Sequence, residues 1–210
     1  VDSVKVRCSD DRLNVRILGG LRQDNPADVM RGEETQIRGF LSIFSNFDGI
    51  ICLPGTHTKW VHVSAGEVIS FRTFMSGELF DLLSKYSVLK HSVKSDGWDD
   101  KEFKSAVSES ISNPQKIFSD FFKLRADHLL KQVEQSELRS KLSGYIIGAE
   151  LAGAKPYWLG QNVVILGNSN LSKIYKTALE DQGIFAQQID ATECTLNGLA
   201  QAFSLISGRH

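Results

Sequence analysis

Two hydroxyls, a histidine and a lysine follow a Pro-Gly hinge in Pro54-Gly55-Thr56-His57-Thr58-Lys59, directly after apolar Ile50, Ile51, Cys52 and Leu53. Backbone N–H groups, hydroxyl donors and an ammonium on one small concave turn are the groups that take phosphate oxygens. Gly55 lets a ligand approach the backbone with no Cβ in the way. The segment is not a Walker A loop, because GxxxxGK[ST] is absent and an extended pattern at Trp60, Val61 and Val63 follows it. The same residues also fit an exposed polar hairpin turn without a ligand. His57 either donates to a phosphate or points to solvent.

A second candidate is "MRGEET", where Arg31 can fork onto a carboxylate or phosphate. Glu33 or Glu34 can accept from sugar hydroxyls or take a proton as a catalytic base. Acidic residues also stabilise a helix N-terminus, which is the alternative reading of the two glutamates. In "VVILGNSNLSKIY" a strand, a Gly-Asn-Ser-Asn turn and a helix present N–H groups where a nucleotide could lie. Many α/β domains have such a turn. His62, His91, His128 and His210 show no ligand spacing, and no metal ligand is assigned.

Behind these candidates stand the elements that must hold them. Val4 and Val6, then Leu13, Val15 and Ile17, alternate with polar residues and predict two short strands. The stretch containing Asn25-Pro26 reads as loop, and apolar Ile37, Phe40, Leu41 and Phe44 predict a helix from about Gly32 to Ser45. A three-stranded meander follows at Ile50–Leu53, Trp60–Ser64 and Val68–Phe74, with Ala65-Gly66-Glu67 as a tight hairpin connection. Residues 95–142 read as helical, with Ser95 or Asp96 as a cap, Pro114 as a stop, and Ile117, Phe118, Phe121, Phe122, Leu129, Leu130 and Val133 as a core stripe. Gly144, Gly148 and Ala152 recur at i, i+4 and i+8, a face that lets another backbone come close. The tail alternates as strand Val163–Leu166, helix Leu171–Glu180, strand Ile184–Ile189 and helix Glu193–Phe203.

Composition sets the class. With 210 residues, 41% hydrophobic and a formal net charge of −1, this is ordinary globular material with a core of useful size. Near-neutral charge argues against a nucleic-acid partner. No apolar run is long enough to span a bilayer, so no membrane partner is expected. Cys8, Cys52 and Cys194 lack CxxC spacing and fit reduced thiols in the cytoplasm.

"VMRGEETQ", "LPGTHTKWV", "FRTFMSGEL", "GYIIGAELAGA" and "ILGNSNL" occur in this order over essentially the whole chain. Together they resemble the 2-dehydro-3-deoxygalactonokinase family of bacterial sugar-acid kinases, within the actin-like ATPase and sugar kinase superfamily. The resemblance implies an α/β fold with a ribonuclease-H-like lobe: a three-stranded meander, a helical insertion and a closing β-α-β-α. It implies that residues 48–210 form this second, nucleotide-side lobe, and residues 1–47 the end of a first lobe on the sugar-acid side. Gly55, Thr56, His57, Thr58 and Lys59 would then grip the phosphates of ATP carried with Mg²⁺. Gly167 and Asn168 would lie near the adenosine, Gly144–Gly148 near the hinge, and Arg31, Glu33 and Glu34 would face the sugar acid. Family members open with an acidic strand-turn block resembling DWGTTN that forms a first phosphate loop. This sequence has no such block and no initiator Met, so it is expected to be part of a longer protein. The implied reaction is ATP-dependent phosphorylation of 2-dehydro-3-deoxy-D-galactonate at the C6 hydroxyl. The alternatives are a kinase of a different sugar acid and a nucleotide-binding, non-catalytic module. A homo-oligomer is left open.

Overall fold

The computed structural model describes residues 3–167 and 170–208. Strands β1 (Ser3–Val6) and β2 (Val15–Leu18) pair antiparallel, as the alternation predicts. Strands β3 (Leu21–Asp24) and β4 (Ala27–Met30) form a second antiparallel hairpin. This corrects the loop expected around Asn25-Pro26. Helix α1 (Glu33–Ile43) leads into the meander of β5 (Gly49–Leu53), β6 (Thr58–Ser64) and β7 (Glu67–Phe74). Helix α2 (Ser76–Tyr86) follows. Helices α3 (Asp100–Ser112), α4 (Ile117–Lys131), α5 (Gln135–Gly153) and the short α6 (Lys155–Trp158) complete the helical insertion. The chain closes through β8 (Val163–Leu166), α7 (Asn170–Asp181), β9 (Gln187–Ile189) and α8 (Ala191–Ser207).

One mixed five-stranded sheet organises the molecule, in the order β7-β6-β5-β8-β9. The meander strands are antiparallel, while β8 runs parallel to β5 and β9 parallel to β8. Side chains of a strand point alternately to its two faces, and β5 is buried on both. Ile50 and Cys52 face a cluster with Trp60, Phe103, Leu151 and Tyr175, beneath α3, α5 and α7. Ile51 and Leu53 face a cluster with Met30, Ile37, Phe40 and Cys194, beneath α1 and α8. Helix α1 therefore shares a core with the sheet.

The β3–β4 hairpin is fixed from a distance. Phe71 N–H donates to Gln23 Oε1 at 3.0 Å; Thr73 N–H and Oγ1 donate to the two oxygens of Asp28, each at 2.7 Å. Strand β7 is a sheet edge, and these side chains satisfy N–H groups a neighbouring strand would otherwise take.

Two helical expectations need correction. The cap of α3 is Asp99, whose side chain accepts from Glu102 N–H at 2.9 Å, while Ser95 Oγ accepts from Gly97 N–H in the loop before it. In α4, Phe121 and Leu124 are buried, but Phe118, Phe122, Leu129 and Leu130 are exposed. Helix α5 and the 3-10 turn Val88–His91 together cover only a narrow stripe of a helix so apolar. The small face of α5 is a packing device: a Cβ on Gly144 would lie 2.5 Å from Phe103 O, and one on Gly148 2.5 Å from Val107 O. Among the described residues, no helix is long and apolar enough to cross a membrane.

Candidate functional site

The polar break after β5 divides into two parts. Strand β6 begins at Thr58, which pairs with Phe74, and Lys59 pairs with both Leu53 and Thr73. The turn is therefore Pro54–His57, two residues shorter than the sequence suggested. Thr56 and His57 are exposed, and Gly55 is half-buried. Thr58 is buried, its Oγ1 2.9 Å from Tyr175 Oη, and it accepts weakly from Gly55 N–H at 3.4 Å. A Cβ built on Gly55 meets nothing closer than His57 O at 3.9 Å, so the space above this glycine is open.

The start of α2 packs directly on the turn. Glu78 N–H donates to Thr56 O at 3.0 Å, and His57 Nε2 lies 2.6 Å from Glu78 Oε2. A Cβ on Gly77 would collide with the Gly55 carbonyl and lie 2.9 Å from Thr56 Cα. Only glycine fits there. In the sequence, Ser76-Gly77-Glu78 reads only as the point after which the pattern turns helical through Leu79, Leu82 and Leu83. The signal was a glycine in the first turn of a helix, where nothing local calls for one.

Two clefts meet at the turn. On one side, about 520 Å³ is lined by Gly55, Thr56, Gly77 and Glu78 together with apolar Phe80, Trp98, Ile146, Ile147, Leu171 and Ile174. On the other, about 590 Å³ is lined by Arg22, Arg31, Glu33, His57 and Lys59. The first suits a flat apolar ring, and the second, with three cations against one carboxylate, suits an anion. Lys59 is only 4% exposed, yet its Nζ has loose partners: Glu33 Oε1 at 3.5 Å and His57 O at 3.4 Å. Charge-assisted hydrogen bonds usually run 2.7–2.9 Å. A buried ammonium with two long contacts has donor capacity left for an anionic ligand.

Beneath the turn lies a group the sequence did not reveal. Glu150 of α5 is 3% exposed; it accepts from Trp60 Nε1 and from Tyr175 Oη, each at 2.7 Å, and from the Ser76 hydroxyl. Burial raises its pKa from 4.5 to about 7, against the pull of these three donors. Burial and the Glu150 charge push the Tyr175 phenol upward as well. The raised pKa has a direct consequence. Between its unfolded and folded values, the folded protein holds a proton that the unfolded chain releases. The associated stability is therefore full below about pH 4.5 and is lost as pH rises from there through about 7. Melting temperature is expected to fall more steeply from about pH 5 to about pH 8 in the unaltered chain than in Glu150→Gln. Parallel pH curves for the two would refute this.

A sequence model of the 2-keto-3-deoxy-galactonokinase family matches residues 2–202. The chain belongs to that family. It is 38% identical over 195 residues to a Rhizobium meliloti (strain 1021) protein named as a probable 2-dehydro-3-deoxygalactonokinase, covering 90% of this chain and 64% of the relative. It is 31% identical over 173 residues to the 2-dehydro-3-deoxygalactonokinase of Escherichia coli (strain K12), covering 81% and 58%. A crystal structure from Sinorhizobium meliloti, assigned as a 2-dehydro-3-deoxygalactonokinase protein, superposes with a TM-score of 0.89 at 37% identity, over 97% of this chain and 69% of that one. The chain thus spans about 60% of the length of the curated relatives it matches.

In this galactonokinase-family chain the fold separates residues that the sequence left together. Glu33 enters the cationic cleft, whereas Glu34 accepts from Gly32 N–H at 2.6 Å and lines a different pocket, between α1 and α8. Arg31 is exposed on the cationic cleft. Gly167 follows β8 and abuts Ser172, with its N–H donating to Ile189 O at 3.0 Å; Leu171 and Ile174 of the following helix are what line the apolar cleft. Asn168 lies outside the described residues. Among the described residues no three His, Cys, Asp or Glu side chains gather in a way that could hold a metal ion.

Proposed function

We propose that this chain carries the nucleotide-gripping side of an ATP-dependent kinase that phosphorylates 2-dehydro-3-deoxy-D-galactonate at its C6 hydroxyl. The observation that carries this reading is Lys59, a nearly buried ammonium with loose partners at the floor of a cationic cleft, beside a turn shared with an apolar cleft. The names of the relatives support the substrate. Sheet order β7-β6-β5-β8-β9 with β6 antiparallel supports a ribonuclease-H-like, actin-like ATPase lobe at residues 48–210, with residues 1–47 closing the sugar-acid side.

Phosphoryl transfer asks a protein chiefly for positioning and for cancelling charge. The nucleoside occupies the apolar cleft, against Leu171 and Ile174. Its phosphates cross the turn over Gly55, Thr56 and His57, and the terminal phosphate reaches Lys59, with Thr58 bracing the turn from below. The sugar acid lies in the cationic cleft with its carboxylate on Arg31. Glu33, rather than Glu34, faces the acceptor hydroxyl and takes its proton. Mg²⁺ would arrive bound to ATP and cancel phosphate charge; among the described residues no three His, Cys, Asp or Glu side chains form a cage for it. Three unpaired cysteines fit a cytoplasmic setting.

The test is calorimetric titration of the chain with ATP, beside turnover assays on a panel of sugar acids. Saturable ATP binding with transfer to 2-dehydro-3-deoxy-D-galactonate is expected. Arg31→Ala is expected to raise the sugar-acid KM about tenfold or more, with the ATP KM unchanged. Preference for another sugar acid would replace the substrate, and the absence of any ATP binding would end the reading. The second reading, a nucleotide-binding module without catalysis, predicts binding without turnover.

A further inference from the structure

Glu150 lines neither cleft, yet it ends a chain of hydrogen bonds that begins in the turn. Gly55 N–H donates to Thr58 Oγ1, Thr58 Oγ1 meets Tyr175 Oη at 2.9 Å, and Tyr175 Oη donates to Glu150 Oε2 at 2.7 Å. A carboxylate can only accept, and a phenol has one proton to give. While Glu150 is ionised, it fixes the direction of every link: Tyr175 donates to Glu150, Thr58 donates to Tyr175, and Thr58 is left to accept from Gly55. The other donors to Glu150 arrive from the remaining walls of the turn. Trp60 lies on β6, next to Lys59, and Ser76 opens α2, one residue before the glycine that presses on the Gly55 carbonyl. One carboxylate thus ties together β6, α2 and α7 around four residues of loop. Enclosing an ionisable group that deeply is unfavourable before its partners are counted.

We propose that Glu150 is a positioning residue, which acts through Tyr175 and Thr58 to hold the Pro54–His57 turn in the shape that receives the nucleotide's phosphates. This rests on the nucleotide site proposed above. Tyr175→Phe removes the middle link with little change of volume. Glu150→Gln offers one acceptor oxygen where three donors converge, and its amide can donate to Tyr175 Oη and turn the chain of bonds around. A merely structural role would loosen both clefts alike, whereas a positioning role touches nucleotide affinity first.

The unaltered chain, Tyr175→Phe and Glu150→Gln are compared by calorimetric titration with magnesium–ATP, by KM for each substrate, and by melting temperature. Each variant is expected to raise the ATP dissociation constant roughly 5- to 50-fold, the scale of a lost buried hydrogen bond. The sugar-acid KM should stay within about twofold, and the double variant should be no weaker than the worse single one, as expected for members of a single network. Equal losses for both substrates, or unchanged ATP affinity in both folded variants, would overturn the positioning role while leaving the nucleotide site intact. An unaltered chain that binds no ATP would remove both.

Discussion

Lys59→Ala is expected to lower kcat/KM for ATP by about 10²- to 10³-fold, the scale seen when one preorganised donor to developing negative charge is removed. The reason lies in burial. At 4% exposure the Lys59 ammonium is screened little by water, so its attraction for a phosphate is far stronger than that of a surface lysine. Sheet pairing to Leu53 and Thr73 fixes its backbone and burial confines its stem, so little ordering is left to do when a ligand arrives. The loss should fall on kcat as well as on ATP affinity, because the charge it meets is greatest in the transition state. Removing it also leaves Glu33, 3.5 Å away, without its cation. Lys59→Met, which keeps most of the stem, should match alanine in activity while melting closer to the unaltered chain. Either variant turning over ATP within threefold of the unaltered chain would exclude a phosphate role for Lys59.

The second large effect concerns stability. Helices α1 and α8 cross at glycines: a Cβ on Gly39 would strike the Cys194 carbonyl and lie 2.7 Å from Gly198 N, and one on Gly198 would strike the Thr35 carbonyl and lie 3.0 Å from Thr35 Cγ2. The colliding atoms are mainly helix backbone, which cannot step aside as a side-chain tip can. Gly198→Val is therefore expected to destabilise by about 3 kcal/mol, the upper range for overpacking. For a domain of this size that lowers the melting temperature roughly 6–12 °C. Gly198→Ala should also destabilise, although helix propensity alone would favour alanine by about 1 kcal/mol. Because α1 begins at Glu33, prising it from α8 moves that carboxylate relative to Lys59, so the sugar-acid KM should rise more than the ATP KM. A melting temperature within about 2 °C of the unaltered chain would refute the tight crossing.

What the sequence disclosed depended on how local the cause was. The meander was readable because alternation along β5, β6 and β7 records which face each side chain occupies. Likewise the break at Pro54-Gly55 marked the turn. The β3–β4 hairpin was not readable: its stability comes from Gln23 and Asp28 reaching residues 71 and 73, and nothing near Asn25-Pro26 announces that. Glu33 and Glu34 looked equivalent in the chain, but successive helical residues point about 100° apart, and so they enter different clefts. Glu150 sits within "GAELAGA" as an ordinary helical glutamate. Its donors come from positions 60, 76 and 175, and only folding gathers them.

The way Gln23 and Asp28 clasp the rim of the sheet has a mechanical corollary. No ladder joins the hairpin to β7: two side chains span the gap, so the piece that ends at Met30, just ahead of Arg31, is latched rather than woven in. The outer part of that latch, three bonds each worth about 1 kcal/mol net, can release while all five strands remain joined and Met30 stays anchored in the core. Release would bare the amides of Phe71 and Thr73, the kind of sticky border along which chains add to one another. The contact that seats the arginine wall of the cleft therefore also guards the molecule against unwanted pairing with its own kind.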